Sequence, residues 1–183
     1  MTSWFGLKKF KEPCPHEEKS CGRCKKEILV KLMIYSMIYG LLSINFIDLV
    51  VKGTTISGYH IWLTFAYFSP FIPLLLLFGF DDWELVAGLG LTASLMNDLF
   101  YYPVGNIIVN SSVNLFEWYS FQLGFQGFTV WWNFNGGFFV VPVTSLLMAL
   151  TIYARIGFVI ALIYRWWHYK RMCHNPSSNL TLT

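Results

Sequence analysis

The reading of Leu85–Pro103, LVAGLGLTASLMNDLFYYP, decides the fold. The stretch is long and apolar enough to enter a bilayer, yet it carries Asn97 and Asp98 near one end. A carboxylate at the centre of a membrane helix costs about 2.5–3.5 kcal/mol even on insertion-based scales. Asp98 therefore calls for a partner, a water-filled cavity or a neutralising proton. Gly90, Ser94 and Asp98 recur every four residues and so share one helical face. Small residues at that spacing let membrane helices approach closely. The stretch is expected to be a transmembrane helix that packs by its small face and aims Asp98 into the protein.

The rest of the chain agrees with a membrane setting. Of its 183 residues, 55% are apolar and 13% charged, against roughly 45–50% and about 25% in soluble domains. The apolar residues lie in long blocks, so the bilayer is the first partner implied. Eight of the 13 Lys and Arg residues fall in 8–31 and three in 165–171, with only Lys52 and Arg155 between. That distribution argues for cytoplasmic N- and C-termini and against a nucleic-acid partner. The first 27 residues are polar and hold no apolar core of a cleavable signal.

These features predict an all-α integral membrane protein. Its core is a four-transmembrane-helix bundle with spans at 28–51, 56–80, 85–102 and 138–167. An aromatic outer-face cap at 104–136 joins the third and fourth spans. A short metal-binding cytoplasmic arm, 1–27, precedes the bundle, and a cytoplasmic tail, 168–183, follows it. In the first span, Ser36, Gly40 and Ser43 form a small-residue stripe suited to helix packing. Lys52-Gly53-Thr54-Thr55 reads as a turn into the second span, which Pro70 and Pro73 should kink. Asp81-Asp82-Trp83-Glu84 reads as a short inner loop, and Pro103 as the stop of the third span.

The cap holds no Lys or Arg, one Glu and many aromatics. Reading part of it as a fifth span would carry Arg165, Lys170 and Arg171 to the outside, against the orientation rule. It is read instead as an interfacial helix near 114–123, followed by a Gly-rich turn or re-entrant segment to Gly137. Asn110-Ser111-Ser112 is then a glycosylation sequon on the outer face. In the fourth span, Thr144, Thr151 and Arg155 share a face, and Glu84 and Asp82 are the expected partners of Arg155.

The sharpest chemical motif lies in the arm. Cys21-Gly22-Arg23-Cys24 places two thiols three residues apart, and Cys14 and His16 can complete a Cys3His tetrahedron. The set reads as a closed, structural zinc site held by a tight turn, with Cys173 and His174 as alternative ligands. Juxtamembrane palmitoylation and plain reduced thiols are the competing readings. The basic arm itself either rests on the anionic inner leaflet or stays a solvated tail.

A second constellation rests on depth. Asn45 and Asp48 end the first span, His60 begins the second, Asn97 and Asp98 end the third, and Glu117 lies in the cap above them. Asp48, His60 and Asp98 are the candidate catalytic residues and the candidate ligands of a second, divalent metal. Asn45, Asn97 and Glu117 are the candidate binding residues. The competing reading is a polar plug that fixes helix register, since polar contacts between membrane helices are commonly packing glue.

Three functions follow, from different classes. One is a non-catalytic subunit or scaffold that docks protein partners in a membrane complex. Another is a membrane enzyme with a metal or acid–base site near the outer face, acting on a small or lipophilic substrate. The third is a small transporter, which the lack of an internal repeat disfavours.

Overall fold

The computed structural model describes residues 18–51, 59–135 and 138–172. Its elements are helix α1 (Glu18–Ile38), a π-helical segment (Tyr39–Ile44), α2 (Asn45–Val51), α3 (Tyr59–Phe68), α4 (Ile72–Phe78), a 3-10 turn (Phe80–Asp82), α5 (Trp83–Ile108), α6 (Leu115–Gln122), strands β1 (Val130–Asn135) and β2 (Val140–Thr144), and α7 (Ser145–Met172). The chain is mostly helical. Among the described residues three helical segments are long and apolar enough to cross a membrane: Lys26–Val51, Tyr59–Phe78 and Ser145–His168. These suggest a membrane protein.

Residues Met1–Leu32 form one compact unit and Met33–Thr183 a second. In the first, α1 starts at Glu18, ten residues before the expected start of the span. Cys21 and Cys24 therefore lie on helical backbone rather than in a turn. Cys14 and His16 lie outside the described residues, as do the Lys52 turn and the tail from Cys173 onward. Near the boundary of this unit, the Lys31 ammonium pairs with Glu27 at 2.6 Å along the helix.

In the second unit α5 is the axis. It packs against the π segment, α2, α3, α4, α6 and α7. The expected small stripe is real, but a π turn shifts it. Ser36 and Gly40 are buried against α5, with the Ser36 hydroxyl donating to the Leu89 carbonyl at 2.5 Å. Gly40 has no alternative there: an added Cβ would lie 2.2 Å from the Ala93 carbonyl oxygen. An i+5 step then carries Asn45 onto this face, and Ser43, expected on it, is exposed. The Asn45 amide donates to the Gly40 and Leu41 carbonyls at 3.2 and 2.9 Å, stapling the π turn.

The kink expected at Pro70 and Pro73 is a full break. The chain turns after Phe68 and restarts at Ile72 with a proline in its first turn, where the missing N–H costs nothing. Pro103 behaves otherwise. It was expected to stop the helix, yet α5 runs through it to Ile108. The proline leaves the Leu99 carbonyl without its i+4 donor. The Tyr119 hydroxyl, reaching over from α6, donates to that oxygen at 3.0 Å.

The cap departs most from expectation. Its helix lies where the sequence puts it, with Asn114 as N-cap accepting from the Phe116 and Glu117 amides. The segment beyond is an antiparallel hairpin, so the all-α reading fails here. Phe134 pairs with Val141 and Asn133 with Pro142, with a bulge between Val130 and Trp132. Residues 138–144, read as the start of the last span, belong to this hairpin, and α7 begins only at Ser145. An apolar run of that length suits a buried helix or a strand equally. Val140, Val141, Val143 and Thr144 are β-branched, which favours the strand. The cap is anchored firmly. Trp118 and Phe121 pack with Leu95 of α5 and with Met148 and Ile152 of α7. The Thr129 and Gly127 carbonyls accept from the Ser145 and Leu146 amides at 3.1 and 2.8 Å, satisfying the first donors of α7.

Candidate functional site

Where α3, α5, α7 and the hairpin converge there is a cavity of about 260 Å³. His60, Ile61, Leu63, Thr64 and Tyr67 come from α3, Ser94 and Asp98 from α5, Arg155 from α7, and Phe134 and Phe139 from the hairpin. At 1.5 Å per residue, the α3 wall from His60 to Tyr67 runs about 10 Å along the helix. One end is capped by aromatics: the His60 and Phe134 rings lie 4.6 Å apart and those of Phe134 and Phe139 5.9 Å apart.

The polar centre is an ion pair. Arg155 Nη2 lies 2.5 Å from Asp98 Oδ2, with the two side chains 18% and 23% exposed. Arg155 is held on its other donors too. Nη1 donates to the Ser94 hydroxyl at 2.7 Å and Nε to the Thr151 carbonyl at 3.1 Å. The Gly90–Ser94–Asp98 stripe and the Thr151–Arg155 stripe thus face each other. Gly90 itself meets the ring of Phe68, where an added Cβ would lie 2.2 Å from Cδ1.

The partners expected for Arg155 are taken by residues lower on α7. Arg165 Nη2 pairs with Glu84 at 2.9 Å, and the Trp166 indole donates to Asp82 at 2.5 Å. Asp82 and Glu84, read as a loop, are buried where the 3-10 turn enters α5.

The remaining candidates separate into two groups. His60 and Asp98 line the cavity. Asp48 lies beside it in a chain of hydrogen bonds: the Tyr59 hydroxyl donates to Oδ1 at 2.6 Å and the Asn97 amide to Oδ2 at 3.3 Å. The same amide contacts the Tyr67 hydroxyl at 3.3 Å, and Tyr67 is a wall of the cavity. Asn45 serves its own π turn, and its Oδ1 is buried with no partner among the described residues. Glu117 is exposed on α6 and does not line the cavity. As the third residue of that helix, with its amide capped by Asn114, it complements the helix N-terminus.

Among the described residues no three His, Cys, Asp or Glu side chains converge as a metal-binding group. Of the residues read as ligands of a second metal, Asp98 is engaged by Arg155 and Asp48 by two neutral donors. Sequence reasoning missed Ser94 as a ligand of Arg155, Tyr67 and Thr64 as walls, and Phe134 and Phe139 as the lid. The signal for the first was present in the two polar stripes, which match in spacing but were not paired.

No protein family, curated protein or solved structure matches the chain.

Proposed function

We propose that this is a four-span membrane protein, with α5 as the additional span, that binds a small amphipathic molecule in the cavity between α3, α5 and α7. One observation carries this reading: the Arg155–Asp98 pair lines an open volume of about 260 Å³ instead of being packed over. A pair that only fixes register needs no space beside it. The Arg155 nitrogens are oriented by Asp98, Ser94 and Thr151. Beside them the cavity offers Asp98 as an acceptor and His60 and Tyr67 as dual-function groups, together with the phenyl rings of Phe134 and Phe139. That suits a ligand with a donor-bearing head and an apolar body.

The test is extraction and mass spectrometry of small molecules retained by the purified protein. The wild type should retain one at near-stoichiometric level. Thr64→Phe, which fills the cavity, should lose it while keeping its helical circular dichroism. Equal retention by the two proteins, or none by either, would defeat the reading.

Both termini are assigned to the cytoplasm on the Lys and Arg distribution. Cysteines placed at Ser112 and Ser178 should label from opposite sides. A structural zinc on Cys14, His16, Cys21 and Cys24 is supported by ligand type and by the three-residue spacing of the last two in the sequence. Replacing Cys21 and Cys24 by Ser should remove one zinc per chain without unfolding the helices.

The second reading, a non-catalytic subunit or scaffold, needs a protein partner on the cap, where several phenyl rings stand exposed.

A further inference from the structure

Those exposed rings need an occupant. Ile107, Phe116, Phe125, Phe128 and Phe138 are each between 80% and 94% exposed. They stand on the last turn of α5, on α6 and around the hairpin. We infer that this surface faces lipid: the cap is embedded in the headgroup–acyl boundary of the bilayer that its flanking helices enter.

Height is the first argument. The Gly127 carbonyl accepts from the Leu146 amide, so Phe128 is fixed level with the first residues of α7. That helix is an apolar candidate span from Ser145, and Leu146 and Leu150 on it are themselves exposed. Phe128 on the cap and Leu146 on the span are therefore exposed at the same level. The cap cannot lift away without breaking the hydrogen bonds that close the N-terminus of α7.

The hairpin sets the other bound. A two-stranded sheet has two open edges, and unpaired backbone groups are not tolerated in hydrocarbon against lipid. Full immersion is therefore excluded, while full exposure to water would leave the rings solvated. Only the boundary region satisfies both, with water reaching the strand edges and acyl chains reaching the rings. Composition agrees: between Val104 and Thr144 the only charged residue is Glu117, whereas protein interfaces are enriched in Arg and rimmed with polar groups. Pro142 also withholds a donor from β2, which suits an edge strand that is not extended by a partner.

The experiment is depth measurement by spin labels. The full chain, with Cys14, Cys21, Cys24 and Cys173 replaced by Ser, is labelled at Phe128→Cys or Phe138→Cys and reconstituted into phosphatidylcholine vesicles. Collision with oxygen should exceed collision with a soluble nickel chelate at both positions, as at a Leu150→Cys control, and the order should reverse at Ser112→Cys. Phe116→Cys and Phe125→Cys replace either position if a variant folds poorly. Water-like collision at the rings overturns the inference. So does protection from both reagents, which would mean that a second copy of the chain covers the cap.

Discussion

The interface between α5 and α7 makes the same kind of contact twice, with different surroundings. Near the hairpin, Arg155 meets Asp98 beside a cavity. Near the other end, Arg165 meets Glu84, and Trp166 next to it reaches Asp82. There Glu84 is only 10% exposed while its arginine is 69% exposed. One pair is enclosed at both partners and opens onto a void. The other is closed around its acid and open around its base. An arginine–carboxylate contact between helices is therefore not informative by itself. What marks a site is the space left beside it.

The largest test breaks the enclosed pair. Arg155→Ala leaves Asp98 facing the cavity without its cation, and losing one partner of a buried pair costs about 3–5 kcal/mol. Thermal unfolding in detergent should show that loss. The double variant Arg155→Met with Asp98→Leu should recover most of it, because apolar replacement of both partners is often neutral. The comparison sharpens if the double variant is stable yet retains no small molecule. If it is stable and retains one, the pair is only packing glue.

Next in size is Trp166→Phe. It removes one donor from the buried Asp82 carboxylate while keeping an aromatic ring. A cost of about 1–3 kcal/mol is expected for a weakened buried polar group, with ligand retention unchanged. Loss of ligand there would show that the two ends of the α5–α7 interface are not independent.

A smaller effect, about 1 kcal/mol, is expected for Tyr119→Phe, which uncovers the Leu99 carbonyl. A double-mutant cycle with Pro103→Ala checks the cause. Alanine restores the helical donor, so the tyrosine hydroxyl should then matter less. An equal cost in both backgrounds would show that the hydroxyl does not serve the proline gap.

The last test is Arg165→Ala. Its guanidinium is mostly exposed, so water screens the pair, but the Glu84 carboxylate it leaves behind is only 10% exposed; a loss of about 1 kcal/mol is expected, at the upper end for a screened pair. A loss as large as that of Arg155→Ala would erase the distinction between the two ends.

The periodic features were legible in the chain alone. Long apolar blocks located three candidate spans, because length and hydropathy are local properties that the bilayer thickness makes decisive. The small stripes at Ser36 and Gly40 and at Gly90 and Ser94 pointed to close helix faces, and Asn114 announced the start of α6. Asp98 was legible as a residue in need of a partner, since its cost in an apolar helix does not depend on the fold.

The identity of that partner was not legible. Depth along each span placed His60, Asn45 and Asp48 near Asp98, but depth says nothing about which face each helix turns inward. Tertiary packing set those azimuths, and a single π turn was enough to rotate Asn45 onto its own helix and expose Ser43. The signal for the hairpin was Asn135-Gly136-Gly137 between aromatic and β-branched runs, and a following apolar block masked it. Continuation of α5 through Pro103 also had no local cause, because the compensating donor, Tyr119, comes from a different helix. The sequence determined which segments seek an apolar medium and which polar groups cannot stand alone in it. Only the tertiary structure decided which of those groups meet, because that choice depends on helix rotation and on space between elements, and neither is encoded by spacing along one chain.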